Sequence, residues 1–347
     1  MASINQYIPQ KAFHPGETLS EKLDELGMGP KEFSVRTGKP EKTIIAIIKG
    51  KSSITAEMAV QFEHVLKIPA HFWLNIQRSY DEFVAREERE KVLTDAIGWA
   101  KLFPVTEMIK KGWLPQNKSM ESRTSDLLAF FSISSHGAWE DYYINQELKV
   151  AFRISLAHTK EPYAISAWLR KGDLQAAELS AKDYNEKNFK DALPDIKSVM
   201  AKHPADFSKK LQSICLDAGV KVVYTPCLPK APIAGSTRWI NDTPLIQLSG
   251  RYKRNDSFWF TFFHEAGHII LHGKKDIFLE KIDYTDFDKN KEEEADNFAI
   301  KWTLSKEEEQ EIIDSAPLNE ADIKSFAKKF HTDRKSTRLN SSHVSQS

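Results

Sequence analysis

The chain has 347 residues, 41% of them hydrophobic, with 49 basic and 49 acidic side chains and a formal net charge of zero. That length calls for two or three domains, and the absence of net charge leaves nucleic-acid binding only to a local basic patch. Two cysteines without a CxxC pair, Cys215 and Cys227, argue against a disulfide scaffold or a thiolate cluster and suit a reducing compartment. The opening MASINQYIPQ has no basic n-region or apolar h-region, and no apolar run reaches membrane length, so a cytoplasmic protein without membrane contact is expected.

Residues 12–90 predict a chain of short helices with abrupt stops. Leu19, Leu23 and Leu26 mark a first amphipathic helix ended by Gly27 and Gly29, and a short second helix holding Phe33 and Val35 ends at Gly38. Pro40 starts a third, PEKTIIAIIK, which stops at Gly50. Thr55 caps a fourth, with Met58, Phe62 and Leu66 on one face and Glu57 in its first turn. A longer polar helix follows from about Pro69 to Glu90.

Two short helices around a glycine turn, the second rich in basic residues, are what a helix-turn-helix requires. Lys31, Arg36, Lys39, Lys42, Lys49 and Lys51 outnumber Glu32 and Glu41, so this neutral chain concentrates positive charge where phosphates would be met. The plain alternative is a helical bundle with a solvated basic face. Lys39, Glu41, Lys42 and Thr43 stand in the base-reading position, with Lys49 and Lys51 placed for phosphate. The stretches HPGETLSEKLDELGMGPKEF and IIKGKSSITAEMAVQFEHVLKIPAHFWLNIQRSYD resemble the HigA-type antitoxins of the Cro/cI-like helix-turn-helix group. The resemblance covers residues 14–82 and includes His14-Pro15-Gly16, Ile54-Thr55, Met58-Ala59 and Phe72-Trp73-Leu74. It departs at Pro30, Ser34 and Glu41 from the family's usual residues. It implies binding to a double-stranded DNA operator, a homodimer reading two half-sites, and a cognate toxin as a further partner.

Residues 91–150 are expected to form a helical connector, and residues 91–215 as a whole read as helices with polar joints. Between Val220 and Leu248 the runs VKVVYTP and TPLIQLS are bounded by turn residues and predict strands of a small sheet. Helices follow at about Asp256 to His272 and Lys291 to Leu304. The fold class expected is therefore α+β: an all-helical N-terminal domain, then a helix-rich domain with one small sheet. From residue 333 onward the tail, including RKSTRLNSSHVSQS, is polar and aperiodic and is expected to be non-native or disordered.

The chemistry concentrates in Phe262-Phe263-His264-Glu265-Ala266-Gly267-His268. Histidines four apart on a helix share a face and can hold one metal ion, while Glu265 can take a proton from a water on that ion. A third ligand is needed. Lys274 stands where a metzincin would have its histidine, so a carboxylate from a later helix is expected. In Lys291-Glu292-Glu293-Glu294-Ala295-Asp296, Glu292 is the candidate ligand, with Asp296 one turn on to orient an imidazole and Ala295 small enough for close helix approach. The plain alternative there is a solvated acidic face.

Residues 152–330 resemble the ImmA/IrrE metallopeptidases in AWLRKGDL, DAGVKVVYTP, IAGSTRWINDTPLIQLSGRYKRNDSFWFTFFHEAGHIILHGKK and EEEADNFAIKW. The resemblance implies a domain at 151–332 in which His264, His268 and Glu292 bind Zn²⁺ and Glu265 is the catalytic base. Its implied substrate is a repressor or other regulatory protein in a stress or toxin–antitoxin circuit. Oxyanion stabilisation is open among Tyr252, His272, Arg251 and Arg238, and His272 has the alternatives of a surrogate ligand or a helix-end histidine. Against the peptidase stands a repressor or antitoxin whose zinc is structural or sensory, although such a site has no need of Glu265.

Overall fold

A computed structural model describes residues 12–145, 161–229, 233–249, 255–275, 278–279, 286–315 and 318–332. The candidates Tyr252 and Arg251 and the tail from 333 lie outside these residues, as does part of the 91–150 segment. The chain divides into two compact units, Met1–Asp95 and Ala96–Ser347, with the division inside one long helix. Among the described residues no helix is long and apolar enough to cross a membrane.

The first unit contains α1 (Pro15–Glu25), α2 (Pro30–Thr37), α3 (Glu41–Ile48), α4 (Ala56–Leu66) and the start of α5 (Ala70–Ala100). Its core joins Leu19 and Leu23 of α1, Phe33 of α2, Ile44 and Ile47 of α3, Met58, Phe62 and Leu66 of α4, and Trp73 of α5. Each such side chain contributes roughly 1.5–3 kcal/mol of transfer free energy. Leu26 does not join them. The helix closes one residue earlier, so Leu26 turns off the apolar face and is 49% exposed. Gly38, in the left-handed region at φ 68°, ends α2 and makes the sharp turn into α3.

The residues that carry the antitoxin resemblance have structural duties. His14 Nδ1 accepts from the Gly16 N–H at 2.9 Å and so caps α1, while its ring meets Tyr80 edge-on at 4.8 Å. Gly16 lies against the end of α3, where a Cβ would fall 1.8 Å from the Ile47 carbonyl oxygen. Gln77 accepts from the buried Ile54 N–H at 2.8 Å and donates to Asp81 at 2.8 Å. These contacts tie α5 back to the loop between α3 and α4.

The second unit continues through α6 (Val105–Lys110), α7 (Met120–Phe131), α8 (His136–Glu140) with a π-turn at Asp141–Asn145, and then α9 (Pro162–Ala177), α10 (Glu186–Lys202) and α11 (Phe207–Asp217). The strands β1 (Lys221–Tyr224), β2 (Gly235–Ile240), β3 (Thr243–Leu248) and β4 (Phe278–Leu279) form one sheet in the order β1-β3-β2-β4. β1 runs parallel to β3, and β2 is antiparallel to both neighbours. The remaining helices are α12 (Asn255–His272), which packs on the sheet, α13 (Asp286–Thr303), α14 (Lys306–Asp314) and α15 (Glu320–Lys329). The fold is α+β, as the sequence predicts.

β2 carries no alternating apolar pattern and escapes a sequence reading. It contains Arg238, which is nonetheless buried because its guanidinium donates to Asp173 at 2.7 and 3.0 Å, to the Leu169 carbonyl and to Ser236. This network fastens β2 to α9. The core above the sheet brings Val222, Ile246 and Leu248 against Trp259, Phe262, Phe263 and Ile269 of α12. A second aromatic cluster packs Trp99, Phe103, Phe131, Trp139, Tyr143 and Tyr163 together, with Trp139 stacked on Tyr163 at 5.0 Å.

Candidate functional site

The helix α12 is buried along most of its length, including three side chains that ordinarily stay in water: His264, Glu265 and His268 are at most 2% exposed. Burying such groups is costly unless something holds them. Two close approaches build the surroundings. At Gly267 a Cβ would sit 3.2 Å from Phe298 and 3.3 Å from the Cα of Ala295, so glycine and alanine together let α12 and α13 touch. On the other side, a Cβ at Gly235 would fall 2.5 Å from Glu265 Oε1 and from Thr261, which allows β2 to lie directly on the glutamate. Thr237, two residues along β2, donates to the Glu265 carbonyl at 2.9 Å.

This packing gathers His264, His268 and Glu292, whose donor atoms all lie within 4.8 Å of one another. The Nε2 atoms of the two histidines are 3.0 Å apart. Glu292 Oε2 is 3.3 Å from His264 Nε2, and its Oε1 is 3.4 Å from His268 Nε2. Both Nδ1 atoms point away to other partners. His264 Nδ1 meets Asp296 Oδ1 at 2.8 Å. His268 Nδ1 meets His272 Nδ1 at 3.0 Å, and His272 Nε2 meets Glu294 Oε2 at 2.9 Å.

The electrostatics are lopsided. Burial opposes charge on His264, but hydrogen bonds to Asp296 and Glu292, with the nearby Glu265 and Glu292 charges, outweigh it and raise its pKa to about 10. For His268 burial dominates and holds the pKa down at about 4, despite its contact with Glu292. Burial likewise works against the Glu292 carboxylate, yet the hydrogen bonds from both histidines draw its pKa down to about 2.

Other candidates fall elsewhere. His272 faces the far nitrogen of His268 rather than the space between the Nε2 atoms. Arg238, an oxyanion candidate from sequence, has its guanidinium engaged by Asp173, Ser236 and Leu169. Glu294, Gly235, Gly267 and Thr237 have no role in the sequence reading, although Glu294 stands in the same acidic run as Glu292. A histidine one turn beyond the motif, facing an acid two residues beyond the candidate ligand, is the signal that could have found it.

In the first unit the expected reading face is α3 and its flanks. Glu41, Lys42, Lys49 and Lys51 are exposed, and Thr43 is half-buried. Lys39 is drawn to Glu57 at the start of α4, with Nζ 2.7 Å from the carboxylate.

Comparison with known proteins matches each unit separately. A peptidase-family model described as the IrrE N-terminal-like domain matches residues 215–337. An uncharacterized HTH-type transcriptional regulator of Escherichia coli, YddM, is 32% identical over 66 residues, which are 19% of this chain and 70% of that protein. Among solved structures, an addiction module antidote protein of the HigA family from Coxiella burnetii is 31% identical, covering 25% of this chain and 95% of its own, with a TM-score of 0.24. The Pseudomonas aeruginosa antitoxin HigA, solved with the higBA promoter, is 28% identical over 23% of this chain and 89% of its own, with a TM-score of 0.23. The chain therefore belongs to the HTH-type transcriptional regulators through its N-terminal unit and carries an IrrE N-terminal-like domain of a peptidase family in its C-terminal part.

Proposed function

We propose that the C-terminal unit is a zinc-dependent endopeptidase acting on a repressor or other regulatory protein, and that the N-terminal unit binds an operator through α3. The observation that carries the peptidase reading is the convergence of His264 Nε2, His268 Nε2 and the Glu292 carboxylate. Ligands about 2.0–2.1 Å from a tetrahedral zinc stand about 3.3–3.4 Å apart. The separations of 3.0, 3.3 and 3.4 Å are close to those edges. Two imidazole nitrogens and a carboxylate suit zinc, and three protein ligands leave the fourth position that a catalytic site requires. Zinc held there would supply Lewis acidity, lowering the pKa of a water to near 7.

The chain's own groups supply the rest. With its Nδ1–H given to Asp296, His264 turns Nε2 toward the site, and zinc held there would displace the proton that the raised pKa otherwise keeps on that nitrogen. Glu265, adjacent to that ligand and walled by Gly235, is the proton acceptor during attack and returns the proton to the leaving amine. Phe262, Phe263 and Ile269 bury the helix around it and keep bulk water out. Incubating the zinc-loaded protein with candidate regulatory proteins, with and without chelator, tests this. Chelator-sensitive cleavage is expected, and its absence from every candidate, including the regulators encoded beside this chain's gene, counts against peptidase action.

For DNA, the exposed Lys42, Lys49 and Lys51 and the membership in HTH-type regulators support an operator contact by α3, with a homodimer reading two half-sites. Lys39, paired with Glu57, serves more naturally to fix α4 than to read a base. A toxin partner, by analogy with the HigA antitoxins, belongs to the same reading.

A further inference from the structure

We infer that His272 and Glu294 form a positioning relay that fixes the tautomer of His268 and so sets the metal affinity of the site. The inference rests on the zinc reading above. A metal at His268 Nε2 needs that nitrogen's lone pair, which places the ring's proton on Nδ1. At 3.0 Å, His268 Nδ1–H then has His272 Nδ1 as its acceptor, so His272 must be the neutral tautomer protonated at Nε2. That proton has an acceptor as well: Glu294 Oε2, 2.9 Å away. The chain of donors thus runs in one direction, from His268 through His272 to a carboxylate at the surface.

If His272 carried its proton on Nδ1 instead, two N–H groups would oppose each other, a conflict relieved when His268 shifts its own proton to the ligating nitrogen. Glu294 excludes that arrangement from two rings away. The His272 side chain is 4% exposed while that of Glu294 is 64% exposed, so the relay anchors a buried ligand to a solvated charge. The two ligands are therefore held by different means: His264 by a carboxylate directly, His268 by a carboxylate through a second imidazole. The i, i+4 spacing that pairs His264 with His268 is used again to pair His268 with His272.

Zinc affinity measured by chelator competition on the full chain tests the relay. Loss of an outer partner of this kind costs about 10–100-fold in metal affinity, and His272→Ala should fall in that range. Asparagine can place its Oδ1 near the lost Nδ1, so His272→Asn should recover to within about threefold of wild type while the ring is still missing. Glu294→Ala, which leaves the ring in place, should weaken binding by less than His272→Ala. In ¹⁵N NMR of zinc-loaded wild type, His268 should be protonated at Nδ1 with a hydrogen-bonded proton that His272→Ala loses. Affinity in His272→Ala within twofold of wild type, or His272→Asn as weak as His272→Ala, overturns the relay. If His272→Ala fails to fold, unchanged affinity in Glu294→Ala overturns it. Wild type that takes up no zinc refutes the metal reading itself, a result distinct from either.

Discussion

The two units handle charge in opposite ways. In the first, the charged side chains around α3 stand at the surface over an apolar core, and even the Lys39–Glu57 pair has an exposed carboxylate. In the second, two histidines and a glutamate are buried on a single helix, each within reach of a named partner or a close-packed strand. A surface charge is solvated whatever its neighbours are, so its position constrains little. A buried titratable group must be satisfied, so its surroundings are specified nearly atom by atom. The site in α12 can therefore be argued from distances, whereas the α3 face rests on charge, exposure and family membership.

That contrast can be broken or sharpened by substitution. The largest effect is expected at Glu265. Glu265→Gln should keep the zinc and the fold but lower hydrolysis by about 10²–10⁴-fold, the usual loss with a general base. A mutant that hydrolyses its substrate at the wild-type rate would make Glu265 a packing residue and require a different proton acceptor at the centre. Next in size is Arg238→Ala, which strands Asp173 and opens the junction of β2 with α9. Losing a buried guanidinium that serves the Leu169 carbonyl, Ser236 and the one-third-exposed Asp173 should cost about 3 kcal/mol, the upper part of the range for polar groups left unpaired, read by denaturant unfolding. A loss under about 1 kcal/mol would mean that β2 does not depend on the network.

Glycine packing allows the units to be compared directly. Gly16→Ala would drive a methyl to 1.8 Å from a backbone oxygen, while Gly267→Ala meets its nearest neighbours at 3.2 Å. The first should destabilise by about 3 kcal/mol and the second by about 1 kcal/mol, within the range for overpacking. Reversed magnitudes would contradict the packing described for α1 and α3. The smallest effects belong to the surface: Lys42→Ala and Lys49→Ala should each flatten the salt dependence of operator binding by about one unit of slope. If both leave slope and affinity unchanged, the docking face lies elsewhere.

How much of this could be read in the sequence follows the same division. Helix α12 was legible to within a residue, because apolar periodicity and the paired histidines coincide there. Thr55 and Gly38 likewise announce the ends that the structure gives them. β2 was not legible, since its polar residues are satisfied by partners distant in sequence, with Asp173 on α9 and Glu265 on α12. The Asn241-Asp242 hairpin between β2 and β3, with Asn241 at φ 56°, was the local sign of it. Helix α5 runs ten residues past its expected end because the charged stretch near Glu90 only interrupts an apolar face that resumes at Ala96, Trp99 and Ala100. Helix α13 starts five residues earlier than its acidic run suggests. The partnership of His272 with Glu294 depends on the helix–helix approach at Gly267, which no single-helix pattern contains.

Metal binding decides most directly whether an open catalytic centre exists at His264, His268 and Glu292. X-ray absorption of the purified, zinc-loaded chain, with metal analysis of wild type beside His264→Ala and His268→Ala, should find one zinc per wild-type chain. Its shell should hold two imidazole nitrogens and the Glu292 carboxylate near 2.0–2.2 Å, the fourth ligand being water. Either histidine variant should lose most of the metal. Equal zinc in both variants, or a shell completed by four protein ligands, would contradict an open catalytic centre at His264, His268 and Glu292.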